Sequence, residues 1–342
     1  MTAGARSPGL VPTPPVPAGS GRALRATLVG VRPLPDALAA SVADAVAARF
    51  PGAASAPGRL GDLHTLGFAA RVPDDVAPTA DDVARAARDL RDEIRPPALA
   101  LGVDVAVTTG DMAELGPGLI LTDVDSTLLQ DEVIEVVAAH AGVEAEVAAI
   151  TARAMDGELD FHASLRERVA LLAGLDAETV LAEATAAVRL SPGAREMFLT
   201  ARDRGVPTGV VSGGFIEIVG PITEPLGVRF AAANRLEVGE DGRLTGRTVG
   251  EVIGRDQKAE RTRAWSAEVG IGVDRVLAAG DGANDLAMLD LVGLGVGYEA
   301  KQIVREQADA IVSTGRLDVA LALTGVTDLS SPRTTDARPR PA

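Results

Sequence analysis

Two aspartates, Asp123 and Asp125, stand one residue apart at the end of an apolar run, in LILTDVDSTLLQ. Carboxylates that close repel each other, and neither is easily hidden beside Leu119, Ile120 and Leu121 without a cation or a shared proton. Three further groups have the types that handle an anion: Ser212 and Gly213 in VVSGG, Lys258 in DQKAE, and Asp281 with Asn284 and Asp285 in GDGANDL. Each also has an ordinary structural reading. An Asp-x-Asp pair serves as a turn or helix cap, Ser-Gly-Gly as a strand-to-helix turn, and the Gly-Asp-Gly run as a loop capping the helix LAMLDL. Lys258 is harder to set aside, because it and Lys301 are the only lysines among 33 basic residues. An ammonium on a flexible stem is a compact point charge, which phosphate sites often use in place of a guanidinium fork.

The elements that must position these groups follow from periodicity. From residue 117 onward, GLILTD, VPTGVVSG and RVLAAGDG are short apolar runs ending in small or acidic residues, each followed by a helical stretch. Near-continuous apolar strands separated by helices predict a doubly wound parallel sheet of Rossmann-like α/β type, with polar residues converging at the strands' carboxyl ends. Residues 131–190 read as helical throughout, too long for one crossover helix, and are expected to form a cap inserted into a core spanning 117–325. A shorter insertion, residues 230–253, carries a hairpin signal around Asp241-Gly242.

The segment ahead of the core differs. RATLVGV, a helix over 35–50, two strands within 54–72 about a Gly-Asp turn, a helix over 79–98 and a strand near 103–108 give the order βαββαβ over residues 25–111. That order is similar to ferredoxin-like α+β domains of the ACT-like regulatory kind. The turn VRPLPD lacks the Asp-x-Pro-Gly type of loop with which many such domains hold an amino acid. Residues 1–24 and 326–342, rich in Pro, Gly and small side chains, read as a disordered arm and tail.

Composition sets outer bounds. The 342 residues carry a net charge of -15, with 46% hydrophobic and only 2% aromatic content. A core of Ala, Val, Leu and Ile is expected, and the acidic balance argues against nucleic acid or an anionic membrane as partner. No apolar run approaches a membrane span, and the first residues lack the pattern of a signal peptide. Without Cys, thiolate chemistry and disulfides are excluded; a cytoplasmic location is the expectation. His64, His140 and His162 show no metal-ligand spacing.

Taken together, the DVDST run, Ser212, Lys258 and the Asp281 to Asp285 cluster resemble, in order, the four motifs of the haloacid dehalogenase-like hydrolases. Within them DVDST and the cap segment MDGELDFHASLRERVALL are most similar to the phosphoserine phosphatase branch. That resemblance implies Mg²⁺ held by Asp123, the backbone carbonyl of Asp125 and Asp281, with Asp123 as nucleophile and Asp125 as general acid and base. It also implies phosphoryl contacts from Ser212, the Gly213 amide, Lys258 and Asn284, with Asp285 behind the metal or holding Lys258. In the cap, Phe161, Leu165, Arg168, Val169 and Leu172 share one helix stripe, which puts a guanidinium among apolar side chains. An internal ion pair, or a stem packed on the core with its head in water, would account for Arg168; a place in the first turn of a helix would account for Glu132. The resemblance instead assigns Arg168 to a substrate carboxylate and Glu132 to its ammonium, with Met155 and Phe161 as an apolar lid. The expected substrate is therefore phosphoserine, with another small phosphomonoester such as phosphohomoserine as the alternative. A catalytically silent amino-acid sensor is the contrasting reading, against which the intact aspartate pair and Lys258 weigh. A homodimer is compatible with the resemblance.

Overall fold

Two sheets, each with its own helices, make up the chain in this computed structural model, which describes residues 10–155 and 158–328. The first unit runs β1 (Arg22–Gly30), α1 (Asp36–Arg49), β2 (Ala54–Leu60), β3 (Leu63–Val72), α2 (Ala80–Leu99) and β4 (Asp104–Thr109). Its strands are antiparallel in the order β2-β3-β1-β4, the ferredoxin-like arrangement. α2 starts where a capping box forces it to: the Thr79 hydroxyl takes the Asp82 amide at 3.1 Å, and the Asp82 carboxylate takes the Thr79 amide at 3.2 Å. The strand boundary lies at Arg22, three residues before the sequence estimate.

After α3 (Gly110–Leu115) the chain enters the larger unit at β5 (Leu119–Thr122). The cap follows as α4 (Val133–Ala141), α5 (Glu144–Met155), α6 (Phe161–Ala170) and α7 (Ala177–Ala187), then α8 (Ala194–Asp203), β6 (Thr208–Phe215) and α9 (Ile216–Thr223). The remaining elements used below are β7 (Phe230–Val238), β8 (Leu244–Val249), α10 (Arg255–Glu268), β9 (Val276–Gly280), α11 (Leu286–Leu289), β10 (Leu294–Tyr298) and β11 (Ala310–Val312). Seven strands lie in the order β11-β10-β9-β5-β6-β7-β8, parallel except for the β7–β8 hairpin. Every residue of β5, β9 and β10 is buried, as expected for strands with helices on both faces. β5 sits between β9 and β6, so the ends of all three open onto one place.

The two units are not beads on a string. Leu10, Val29, Leu60, Leu63, Ala106 and Met112 belong to the same buried cluster as Ile120, Leu317, Leu321 and Val326 of the larger unit. Asp104, on β4, accepts the Ser313 amide at 3.1 Å and the Ser313 hydroxyl at 2.6 Å just beyond β11. Arg316 reaches Asp62 at 2.7 Å and Asp318 at 2.7 Å. Residues 10–14, expected to be an arm, pack at this junction: the Thr13 amide donates to Gly325 O at 2.8 Å, Pro12 bridges to Val326, and Arg25 Nη2 donates to Pro14 O at 2.7 Å. The reason is burial. Leu10 is apolar and finds the cleft between the sheets, while Arg25 needs carbonyl acceptors. Among the described residues no helix is long and apolar enough to cross a membrane.

Candidate active site

Asp123 follows the last residue of β5 and leads into a tight turn, Val124–Leu128, in which Ser126 takes a positive φ of 55°. Its Oδ1 accepts the Val124 amide at 2.7 Å and the Lys258 ammonium at 2.7 Å. No donor among the described residues reaches Oδ2, which is left for other chemistry. Lys258, buried on the first turn of α10, also donates to Asp285 Oδ1 at 2.7 Å. The second oxygen of Asp285 accepts the amides of Asp281 at 3.1 Å and Gly282 at 3.0 Å. Both Asp285 oxygens are thus engaged, although Asp123, Asp281 and Asp285 lie close enough together to surround an ion. Asp285 is the least available of the three to an ion, since both its oxygens already accept hydrogen bonds, which leaves Asp123 and Asp281 as the carboxylates that could hold one. Gly280 makes this possible, because a Cβ there would overlap the Asp285 carboxyl.

Asp125 is held differently. Its Oδ1 accepts the Val133 amide at 2.7 Å, and its Oδ2 accepts the Ser212 hydroxyl at 2.9 Å. Ser212 Oγ in turn accepts the Gly214 amide at 2.7 Å. The hydroxyl's one proton is therefore given to Asp125, so donation to a phosphoryl oxygen requires it to turn. Ser212 and Gly213 lie in the last half of β6, a few residues before α9 rather than at its first turn.

The cap closes over this pair. Glu132, the residue that precedes α4, accepts the Ser126 hydroxyl at 3.1 Å. Arg168, two turns into α6, donates to its own helix at Ser164 O, 3.3 Å, and has no carboxylate within ion-pair distance among the described residues. Burial lowers its pKa; the charges of Glu132 and Asp125 act the other way, so the guanidinium faces both acids. Phe161 sits over the Ser212–Gly214 segment, its Cζ 3.3 Å from where a Gly213 Cβ would be. Asn284 is exposed at the rim. The side chain of Met155 lies outside the described residues.

Electrostatics show what the cluster needs. Burial and the Asp285 charge push Asp123 well above the usual carboxylate range, against the pull of Lys258. Burial likewise raises Asp281, opposed by Lys301. Glu132 is pushed up to about 7 by burial and by Asp125. Burial would lower Lys258, but Asp123 and Asp285 outweigh it and hold the ammonium charged. Fully ionised, the five carboxylates Asp123, Asp125, Glu132, Asp281 and Asp285 would outnumber the three cations Lys258, Lys301 and Arg168 by two charges, an imbalance that the raised carboxyls express. A divalent ion with hard oxygen ligands is the group that fits.

Two residues enter that the motifs did not name. Lys301 Nζ lies 3.4 Å from Asp281 Oδ2, so both lysines of the chain face the site. Their rarity was the available signal. Buried Asn234 on β7 donates to Gly213 O at 2.8 Å and accepts the Ile253 amide at 2.9 Å, holding the Ser212–Gly214 segment, the candidate phosphate loop, from behind.

A doubly wound sheet with an Asp-x-Asp at the end of its central strand, a buried lysine, an acid pair in the loop after the neighbouring strand β9 and a helical cap defines a Rossmann-like hydrolase core with a carboxylate-lined site. The chain belongs to the haloacid dehalogenase-like hydrolase family, whose profile matches residues 120–290. It is 51% identical to the phosphoserine phosphatase of Streptomyces coelicolor over 70% of this chain and 58% of that protein. The chain therefore spans less than two thirds of that relative's length. It is 46% identical to the phosphoserine phosphatase of Streptococcus thermophilus over 56% of this chain and 88% of that protein. A solved structure of a probable phosphoserine phosphatase from Vibrio cholerae superposes with a TM-score of 0.67 at 31% identity, covering 88% of this chain and 86% of that one.

Proposed function

We propose that the chain hydrolyses O-phospho-L-serine to serine and phosphate, the closing step of a phosphorylated route to serine. The observation that carries this reading is a half-buried cap guanidinium, Arg168, that has no carboxylate within ion-pair distance among the described residues yet feels the charges of Glu132 and Asp125. A substrate bearing a phosphate, a carboxylate and an ammonium calls for that set of charges. The names of the relatives support the same substrate.

Asp123 Oδ2 attacks phosphorus in line, forming the Asp123 carboxyl-to-phosphorus bond as the phosphorus-to-serine oxygen bond breaks. Asp125, steadied by the Val133 amide and the Ser212 hydroxyl, gives its proton to the leaving serine oxygen. It then takes a proton from the water that cleaves the aspartyl-phosphate. Lys258 balances charge on the transferred group, helped by the Gly213 amide and, at the rim, Asn284. Mg²⁺, held by Asp123, Asp281 and the Asp125 carbonyl, would offset the excess negative charge. Arg168 takes the carboxylate through two nitrogens, Glu132 takes the ammonium, and Phe161 excludes water.

The test is a substrate panel with magnesium. Arg168→Ala should cost about 2 to 4 kcal/mol of transition-state stabilisation on phosphoserine, in line with losing a desolvated charged contact, and much less on an aryl phosphate. Equal losses on both, with the fold intact, would make Arg168 structural and remove the substrate assignment.

A further inference from the structure

The β7–β8 hairpin reaches sideways from the catalytic sheet and takes hold of the cap. The Gly174 amide donates to Leu244 O at 2.8 Å, the Leu244 amide to Leu175 O at 2.9 Å, and the Ala177 amide to Gly242 O at 3.0 Å. Arg243 Nη1 adds a bond to Gly174 O at 2.7 Å. The turn between α6 and α7 is therefore paired to β8 almost as a further strand would be. Contact is close along its length: Gly246, at φ +79°, leaves room for α6, and a Cβ there would stand 2.9 Å from Ala173 Cβ and 3.3 Å from Ala170 Cα. Leu244 is buried in the cluster that holds Leu165, Val169 and Leu172.

The other strand of the same hairpin holds the other end of the site. Asn234 on β7 ties Gly213 O to the Ile253 amide. One rigid hairpin thus supports the phosphate loop through Asn234 and, through Arg243 and Gly246, the helix that carries Arg168. We infer that the β7–β8 hairpin fixes the distance between the phosphoryl site and the guanidinium, so that Arg243 and Gly246 are positioning residues which set the chain length of the amino-acid phosphate accepted. This inference rests on the reading of Arg168 as the carboxylate contact. A gap fixed from both ends discriminates between homologues differing by one methylene, a difference that such sites turn into roughly 10- to 200-fold in kcat/KM.

The experiment uses the full chain with Arg243→Met and, as a stronger perturbation, Gly246→Ala. The ratio of kcat/KM for phosphoserine to that for phosphohomoserine should fall about tenfold or more. Activity on an aryl phosphate should stay within about twofold. Arg243→Lys, which keeps a donor for Gly174 O, should restore much of the ratio. Amide exchange over Leu165–Ala170 should quicken in both perturbed variants while β5 stays protected. An unchanged ratio with parallel losses on all substrates, or unchanged exchange in α6, would overturn the inference. If the wild-type chain does not hydrolyse phosphoserine, the substrate assignment fails by itself. The exchange arm still decides whether the hairpin holds α6.

Discussion

Asp123 and Asp125 differ in what engages their oxygens, and that difference separates two variants. Asp123→Asn should abolish turnover and phosphoenzyme together and weaken magnesium binding, because an amide is neither nucleophile nor good ligand. Asp125→Asn should cost turnover while leaving magnesium affinity nearly unchanged in calorimetry, since the proposed ligand at this position is the backbone carbonyl. Acid-quenched phosphoenzyme found on Asp125 or Ser126 would reverse the roles. Glu132 adds a pH prediction. Its carboxyl, raised from 4.5 to about 7, is protonated below that value and anionic above it. Activity on phosphoserine should therefore fall as pH drops through this range or somewhat below, bound magnesium pulling the limb downward, while an aryl phosphate, which shares only the Asp123 dependence, should lose less. The sign for stability is opposite. A raised carboxyl binds its proton more tightly folded than unfolded, so its contribution is lost as pH rises from 4.5 to about 7. Glu132→Gln should thus melt higher than wild type at pH 8 in chelator, while losing the acid limb with phosphoserine.

At the scale of elements, the phosphate loop depends on Asn234, which no motif announces. Asn234→Ala leaves Gly213 O and the Ile253 amide without their partner, a loss of about 1 to 3 kcal/mol for buried groups. It should raise KM for every phosphomonoester alike, unlike Arg168→Ala, which distinguishes carboxylated substrates. What could be read in advance divides along the same line. Asp123, Asp125, Asp281 and Asp285 sit where apolar strands end, so a period and a residue type located them, while Lys258, at the start of a helix, stood out by its rarity. The stripe of α6 likewise placed Arg168. Asn234 and Lys301 gain their roles from neighbours distant in sequence, and the hold of Arg243 on Gly174 joins residues 69 apart. Local pattern carries no record of such partners. The packing of residues 10–14 was hidden for a related reason, since a Pro- and Gly-rich run resembles a free arm until the cleft it fills is known.

For the molecule as a whole, residues 10–111 supply no side chain to the candidate site, and the strand-helix pattern alone suggests that the segment ahead of the core can be removed. The shared core changes the expected result. Their deletion uncovers Leu317, Leu321 and Val326 and strands Ser313 and Arg316 without Asp104 and Asp62. The remaining chain should melt about 10 °C or more lower, the shift that roughly 3 kcal/mol produces in a domain of this size. A truncated protein with the full-length melting temperature would make the two units independent.

The junction at Asp104 has a consequence for self-association. A sheet is vulnerable to templating by another chain wherever its last strand leaves amides and carbonyls unpaired. This molecule has four such margins. β4 and β11 face each other, with the Asp104 carboxylate taking the Ser313 amide, so the two sheets abut without fusing into one ladder. β8 is covered by Gly174 and Leu175, and β2 by residue 328, whose amide donates to Arg59 O at 2.6 Å. Each margin thus makes a contact within the chain that also positions a domain, the cap or the segment around Asp328. Loosening any of them would create an aggregation-prone surface as well as a misplaced one, so solubility and catalytic geometry are guarded by the same bonds.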